Sequence, residues 1–439
     1  MVPLDVRQSS PEIENLIRHS GASVVIGEER LFDLVADDLD AGLVRVALAL
    51  DGGSAAPDYE HELAIASSVD PYLDLSELDS FGIFYTSGTT GRPKGVEISH
   101  RSRCLTFLAA AAEYGWGPRT RSLAVAPLYL GGGFTLGYGA LYAGSSLVIL
   151  RSFDPERFLY LVDSSQTHST FLVPTHAHMI RSLGERTLER FPIKSLKTLM
   201  FNAAPLPVEL KTWVLERWPS IDVHEFYGST EASIVANLRP ADQRRKLGSV
   251  GPPWQLTEVS ILDNQRQPVL PGEVGELFSR SPYLMSGYWT DSEATAAATT
   301  AEGFFSAGDL ARADDESYLY IVGRIKDMII TGGTNVYPIQ VEEVLRDHPS
   351  VMDVAVAGVP SQKWGEEVAA FVVLRAGQNM DEEGLRRHCR VRLATYEVPK
   401  RFVSVATLPR NSNGKVLRRQ LVALAIGAGA GSHSESELQ

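Results

Sequence analysis

The 439-residue sequence predicts an α/β protein: a large N-terminal domain of helix-covered, mostly parallel sheets with a small barrel-like antiparallel sheet, then a small α+β C-terminal domain. Three observations carry this. Short apolar runs, SLAVAPLYL at 122–130, SLVIL at 146–150, STFLVP at 169–174 and LKTLMFNAAP at 196–205, are bounded by turn residues and alternate with helical stretches, as parallel strands under helices do. From 248 to 279 the strands shorten and are broken by Pro252, Pro253, Asp263, Pro271 and Gly272, the pattern of a small antiparallel sheet or barrel. After GRIKDMII, the run PIQVEEVLRDHP reads as a helix, VMDVAVAGVP and EEVAAFVVLR as strands, and DEEGLRRHCRVRL as another helix.

In chain order, Ser10 can cap an amphipathic helix with Pro11 at its start, Gly21 ends it, and a buried strand follows. The apolar FGIF at 81–84 leads into a turn rich in glycine and hydroxyls, with a helix expected after Ser99. The sequence thus divides into a domain at 1–323, a junction at 324–326, a second domain at 327–425 and a small polar tail at 426–439 expected to be disordered. With 54 acidic against 41 basic side chains the net charge is −13, which argues against a nucleic-acid or anionic-membrane binder and requires any phosphate pocket to be built locally. Two cysteines, Cys104 and Cys389, are too few for a disulfide framework and lack metal-site spacing, so the expected home is a reducing one, the cytoplasm. The most apolar stretch, 136–150, is interrupted by Gly137, Gly139, Gly144, Ser145 and Ser146, and no membrane span or signal peptide is expected.

The strongest local signal is YTSGTTGRPKG at 85–95. Gly88 and Gly91 let the backbone turn and present amide N–H groups, Thr86, Ser87, Thr89 and Thr90 add hydroxyl donors, and Lys94 adds a point charge. These are the parts of a polyphosphate cradle. The spacing differs from the common P-loop, because Pro93 stands where that motif needs a glycine before its lysine.

With YGSTE at 227–231, SAGDL at 306–310, GRIKD at 323–327, Gly332-Gly333 and NGK at 413–415, this loop resembles the adenylate-forming superfamily of acyl-CoA synthetases, carrier-loading adenylation domains and beetle luciferases. The motifs stand in the family's order over 81–415, and the chain is most similar to CoA ligases of fatty and aryl acids. The resemblance implies an ATP-dependent carboxylic acid:CoA ligase with Mg²⁺, ATP and CoA. Carboxylate attack on the α-phosphate gives acyl-AMP and pyrophosphate, and CoA thiolate then expels AMP. A carrier-protein loader sharing the first step and a non-catalytic nucleotide-binding relative stay open as alternatives.

The resemblance also assigns residues. Thr86, Ser87, Gly88, Thr89, Thr90, Gly91 and Lys94 face the triphosphate; Asn202, Ala203 and Ala204, with Asn202 in place of a usual Gly, line the adenine together with Phe226, Tyr227, Gly228 and Ser229. Thr230 contacts a phosphate and Glu231 ligates Mg²⁺, which favours one or two carboxylates beside phosphate oxygens. Asp309 accepts from the ribose hydroxyls and Arg324 reaches the ribose or phosphate. Lys326 falls at the hinge of a mobile C-terminal domain, Lys415 swings in to bond the carboxylate and α-phosphate, and Gly332 and Gly333 wall the pantetheine tunnel. Lys415, Glu231, Lys94 and Thr230 are the expected catalytic set.

The segment APLYLGGGF at 126–134 matches the family's acyl-site motif, giving Tyr129, Leu130, Gly131 and the nearby His176 as pocket residues, with Leu130 where a His commonly stands. It lacks the Asp that pairs an amino-acid ammonium, so an aliphatic or aromatic acid is expected. In the family, several tens of residues of helix and strand precede the segment that begins this chain. The expectation is therefore a start downstream of the family's, or an abbreviated first subdomain.

Overall fold

The computed structural model describes residues 1–35, 42–52, 56–86, 93–410 and 416–430. Its centre is a six-stranded sheet in the order Ser233–Leu238, Asp222–Ser229, Thr198–Phe201, Ser169–Leu172, Arg121–Ala124, Ser146–Ile149. All neighbours run parallel except the first pair, which is an antiparallel hairpin. Side chains alternate across a strand, so both faces of these apolar runs are buried. Leu123, Leu172, Leu199, Phe201 and Val223 pack with the helices Pro155–Ser164, Pro174–Arg181 and Val208–Arg217. Their neighbours Phe171, Met200 and Phe226 face the helices His100–Tyr114 and Gly131–Tyr142. Each such buried Leu or Phe contributes about 1.5–3 kcal/mol.

Two smaller sheets flank this core. One is the hairpin Ser80–Thr86 and Lys94–Ser99 with the short strand Gly287–Tyr288 added to its second member. The other is four-stranded and antiparallel, Glu258–Leu262, Gly275–Arg280, Asp309–Ala313, Leu319–Arg324. The expected C-terminal elements form one sheet in which Gly365–Leu374 is flanked by Val351–Ser361 on one side and by Arg401–Ser404 and Ile329–Thr331 on the other. Val354, Val356, Val368 and Val372 meet the helices Pro338–Arg346 and Glu382–Arg390, while Ala355, Ala357, Phe371 and Val373 meet Leu421 and Ala425 of the last helix.

Local expectations change in three places. The first helix, Ser10–Ser20, is capped by Ser9, whose N–H and hydroxyl both donate to Glu12, and not by Ser10; Gly21 at φ +70° ends it as expected. The strand Val24–Gly27 is not buried: it pairs only with Val46–Ala49, leaving Val24 and Ile26 half exposed. The last helix runs Arg418–Ala430, so 426–430, expected in a disordered tail, are helical. Leu421 and Ala425 anchor it on the sheet. Residues 431–439 lie outside the described residues.

Candidate active site

The hairpin Ser80–Thr86 and Lys94–Ser99 sets Thr86 opposite Lys94. Ser87, Gly88, Thr89, Thr90 and Gly91 lie outside the described residues. The base of the hairpin is clamped from the first helix, where the Tyr85 hydroxyl meets His19 Nδ1 at 2.8 Å and Trp289 Nε1 donates to the His19 carbonyl at 3.1 Å. Lys94 Nζ sits 4.5 Å from the centroid of the Tyr288 ring, a cation–π contact. Tyr288 is in reach because its strand pairs with the hairpin, Tyr288 opposite Val96. Its hydroxyl donates to Glu231 Oε1 at 3.3 Å. Burial, and then the Glu231 charge, push the Tyr288 phenol well up, so it stays protonated and serves as a donor.

Glu231 stands in the turn of a second hairpin, between Asp222–Ser229 and Ser233–Leu238. A Cβ on Gly228 would lie 1.9 Å from the Ser233 carbonyl oxygen, so only glycine lets the two strands close here. Ser233 takes φ +59°, the Ser229 hydroxyl accepts from Ala232 N at 3.0 Å, and the Glu231 carbonyl accepts from Met285 N at 2.8 Å. Thr230 Oγ1 lies 3.0 Å from the point where a Gly131 Cβ would be, which brings the start of the Gly131–Tyr142 helix against this turn.

On the other side of the same hairpin, Tyr227 OH donates to Asp309 Oδ2 at 2.6 Å, and Arg324 Nε donates to Asp309 Oδ1 at 2.7 Å. Asp309 and Arg324 are directly opposite on neighbouring strands, and Arg324 also donates to the Ala307 carbonyl at 3.1 Å. Burial, then Asp309, raise the Tyr227 pKa well above the usual phenol value, with a smaller push from Glu231. Lys94, Tyr288 and Glu231 form one run of polar contacts, Tyr227, Asp309 and Arg324 form another, and the hairpin Asp222–Leu238 carries a member of each. Asn202 Nδ2 donates to the Phe226 carbonyl at 2.6 Å, and Ala203 turns at φ +76°, fixing 202–204 beside the Tyr227 strand.

The segment expected at the acyl site sits against the Thr230 turn. The three glycines Gly131, Gly132 and Gly133 open a helix, with Leu130 at its N-cap position. Tyr129 turns to the N-terminal segment: Arg7 lies over its ring at 5.7 Å, and burial with Asp5 pushes its phenol up to about 12. His176 stacks on Phe153 at 4.0 Å and accepts from Val173 N at 3.5 Å, because the third residue of the Pro174–Arg181 helix folds back over its start. Behind the next turn, Gly133, Leu136 and Gly137 face Phe171, Met200 and Trp116 across a small cavity.

In the C-terminal domain, Gly332 and Gly333 form the exposed turn between Ile329–Thr331 and Thr334–Val336. Beside them is Trp364, 39% exposed, whose carbonyl accepts from Gly332 N at 2.9 Å and whose ring carries Lys363 at 4.9 Å and Lys400 at 5.5 Å. Lys326 lies in the short turn Ile325–Asp327 after the Arg324 strand. Lys415 lies outside the described residues. The segment containing it is bounded by bridged Arg410 and Val416, and Arg418 is anchored on the buried Glu342 at 2.6 Å. Sequence reading missed Tyr288, Trp364, Phe171 and Met200; nothing local marks them, since each acts through a partner distant in sequence.

Comparison with known proteins agrees with this geometry. Residues 1–289 match the AMP-binding enzyme family, and residues 340–415 match the AMP-binding enzyme C-terminal domain. The feruloyl-CoA synthase of an Amycolatopsis species is 34% identical over 423 residues, 96% of this chain and 82% of that protein. The 2-succinylbenzoate–CoA ligase of Geobacillus kaustophilus is 36% identical over 419 residues, 95% of this chain and 81% of its own length. The crystal structure of ATP-bound MatB from Rhodopseudomonas palustris is similar with a TM-score of 0.88 at 29% identity, covering 96% of this chain and 83% of that one. The chain belongs to the AMP-binding enzyme family, a member of the adenylate-forming superfamily.

Proposed function

We propose that this chain is an ATP-dependent, AMP-forming carboxylic acid:CoA ligase acting on an aliphatic or aromatic acid. The observation that supports the reading is that one hairpin carries both Glu231, joined through Tyr288 to Lys94, and Tyr227, bonded to Asp309, with the start of the Gly131–Tyr142 helix against Thr230. A carboxylate is a poor electrophile, and ATP activates it by forming the mixed anhydride. Both half-reactions move negative charge through crowded oxygens, so aligned donors and fixed positive charge do most of the catalytic work.

In this reading the segment 86–94, with its hydroxyls and Lys94, cradles the triphosphate, and Tyr227 with 202–204 lines the adenine. Asp309 accepts from the ribose hydroxyls, with Arg324 holding its carboxylate in place. Thr230 and Lys415 serve the α-phosphate and the acid. Among the described residues no group of three or more His, Cys, Asp or Glu could hold a metal ion. Glu231 alone fits a Mg²⁺ that arrives with the nucleotide, since that ion takes one or two carboxylates and completes its shell with phosphate oxygens and water. When bound, the ion would neutralise charge on the triphosphate.

The junction at 324–326 is the pivot, and Lys326 its hinge residue. Gly332 and Gly333 leave room for the pantetheine arm, and the exposed Trp364 with Lys363 and Lys400 offers a flat, cationic face to the CoA nucleotide. No helix among the described residues is long and apolar enough to cross a membrane. We infer a cytoplasmic setting, which the unpaired Cys104 and Cys389 and the need for ATP and CoA support.

The test is acid-dependent ATP–pyrophosphate exchange over a broad acid panel, followed by mass spectrometry of products with CoA. Exchange and acyl-CoA formation are expected. Exchange with transfer only to a phosphopantetheinylated carrier protein would make the chain a carrier loader, and ATP binding without pyrophosphate release would make it a non-catalytic relative.

A further inference from the structure

Behind the segment 202–206 lies a buried ion pair that no step described above employs. Lys211, in the helix Val208–Arg217, is fully buried, and its Nζ lies 2.5 Å from Oε2 of Glu225, itself 6% exposed on the strand Asp222–Ser229. Among the described residues the ammonium has no other polar partner. Taking two charges out of water is costly, and apolar side chains of similar volume often stabilise a core as well or better, so stability alone does not account for the pair.

Glu225 stands opposite Phe201, the last residue of the strand Thr198–Phe201, where the segment 202–206 begins. Its Oε1 accepts from Leu206 N at 3.4 Å, where that segment ends. Asn202 Nδ2 donates to the Phe226 carbonyl at the other end. Between them Ala203 sits at φ +76°, a left-handed conformation that an alanine keeps only where its surroundings impose it. The segment is therefore pinned at both ends to consecutive residues, Glu225 and Phe226, of the strand that carries Tyr227. Side chains alternate along a strand, so Glu225 and Tyr227 share a face. Burial raises the Glu225 pKa, and the Lys211 charge works against that rise, favouring the ionised acceptor that Leu206 N meets.

We propose that Lys211 and Glu225 are positioning residues for the nucleotide: Glu225 holds the Leu206 amide, Lys211 fixes the Glu225 carboxylate in that orientation, and together they keep 202–204 beside Tyr227. The proposal deepens the reading above and rests on its placement of the adenine at 202–204. Both residues act through the backbone of this segment.

The experiment measures the ATP dissociation constant of the full chain by calorimetry, which needs no acid, beside thermal unfolding. Lys211→Met, Glu225→Leu removes both charges and the acceptor; Lys211→Met, Glu225→Gln removes both charges and keeps an acceptor oxygen for Leu206. Both should fold, since exchanging a whole buried pair for neutral side chains is tolerated far better than breaking it. The Leu variant should bind ATP about fivefold or more weakly, the worth of about one hydrogen bond, and the Gln variant within about twofold of the unaltered chain. Acid-dependent pyrophosphate exchange at saturating ATP should stay within about threefold in both, because a base contact made equally in ground and transition states sets affinity and not turnover. If the Leu variant does not fold, Glu225→Gln alone decides: Lys211 claims its one oxygen, its NH2 group faces Leu206 N, and affinity should again fall about fivefold. Unchanged affinity in the Leu variant, or in Glu225→Gln where that stands in, would overturn the inference, as would equal losses in the Leu and Gln double variants; the ligase reading would stand. Exchange absent with every acid, with the affinities in the expected order, would remove the ligase reading and leave the inference standing. Failure of the unaltered chain to bind ATP would overturn both.

Discussion

Replacing Gly228 by alanine tests whether the hairpin that carries Thr230 and Glu231 sets the geometry of the site. The added Cβ would fall 1.9 Å from the Ser233 carbonyl oxygen, 2.9 Å from its carbon and 3.1 Å from Ile234 Cα, all of them backbone atoms that no rotamer change can move. Restoring even a tight 3.0 Å contact requires the strands to part by about 3.0 − 1.9 = 1.1 Å at the position where Gly228 faces Ile234. Two or three backbone hydrogen bonds around that point weaken, at about 1 kcal/mol each, and residual strain adds to this, for a cost of about 2–4 kcal/mol. A displacement of about 1 Å in a positioning element lowers the rate of a reaction that depends on alignment by about a hundredfold. The assay is acid-dependent ATP–pyrophosphate exchange beside thermal unfolding, with Gly117→Ala as control, since its Cβ meets nothing within 4 Å. A Gly228→Ala protein exchanging within about threefold of the unaltered chain, with the same unfolding midpoint, would refute the argument.

Three further predictions follow from other contacts. Asp309→Asn removes the charge that holds both Tyr227 and Arg324, and should raise the ATP dissociation constant about 10- to 100-fold by calorimetry; unchanged affinity would take Asp309 out of the nucleotide site. Burial lowers the His176 pKa to about 4, so the unfolded chain binds the proton more readily than the folded one. The stabilisation is whole above the unfolded value near 6.5 and is lost as pH falls toward 4, by about 3 kcal/mol at most, and His176→Phe should flatten that part of the stability–pH profile. Gly332→Ala would push a Cβ to 2.9 Å from the Trp364 ring at φ +57°, and should slow thioester formation while sparing pyrophosphate exchange; equal loss in both steps would contradict a CoA-side role for this turn.

Local chemistry was the legible part of the site. Glycines and hydroxyls around Lys94 announce a phosphate turn, and Tyr227, Glu231, Asp309 and Arg324 stand in runs whose composition and order mark them before any coordinates are known. The surroundings of the expected acyl residues were not legible: Tyr129 is held by Asp5 and Arg7 and His176 by Phe153, contacts set by packing between segments far apart in sequence. A helix starting on three glycines is likewise against propensity. It forms because Gly133 approaches the Pro127 carbonyl so closely that any Cβ is excluded.

The sequence by itself determined the alternation of strand and helix, the two-domain order and the family's motifs, since these depend on periodicity and on side-chain chemistry carried within a few consecutive positions. Only the tertiary structure decided that Tyr288 joins Lys94 to Glu231 and that Asp309 is shared by Tyr227 and Arg324. Those pairs are separated by 15 to 194 positions, and what sets them is strand register and the packing of one sheet on another, quantities that no short stretch of chain encodes.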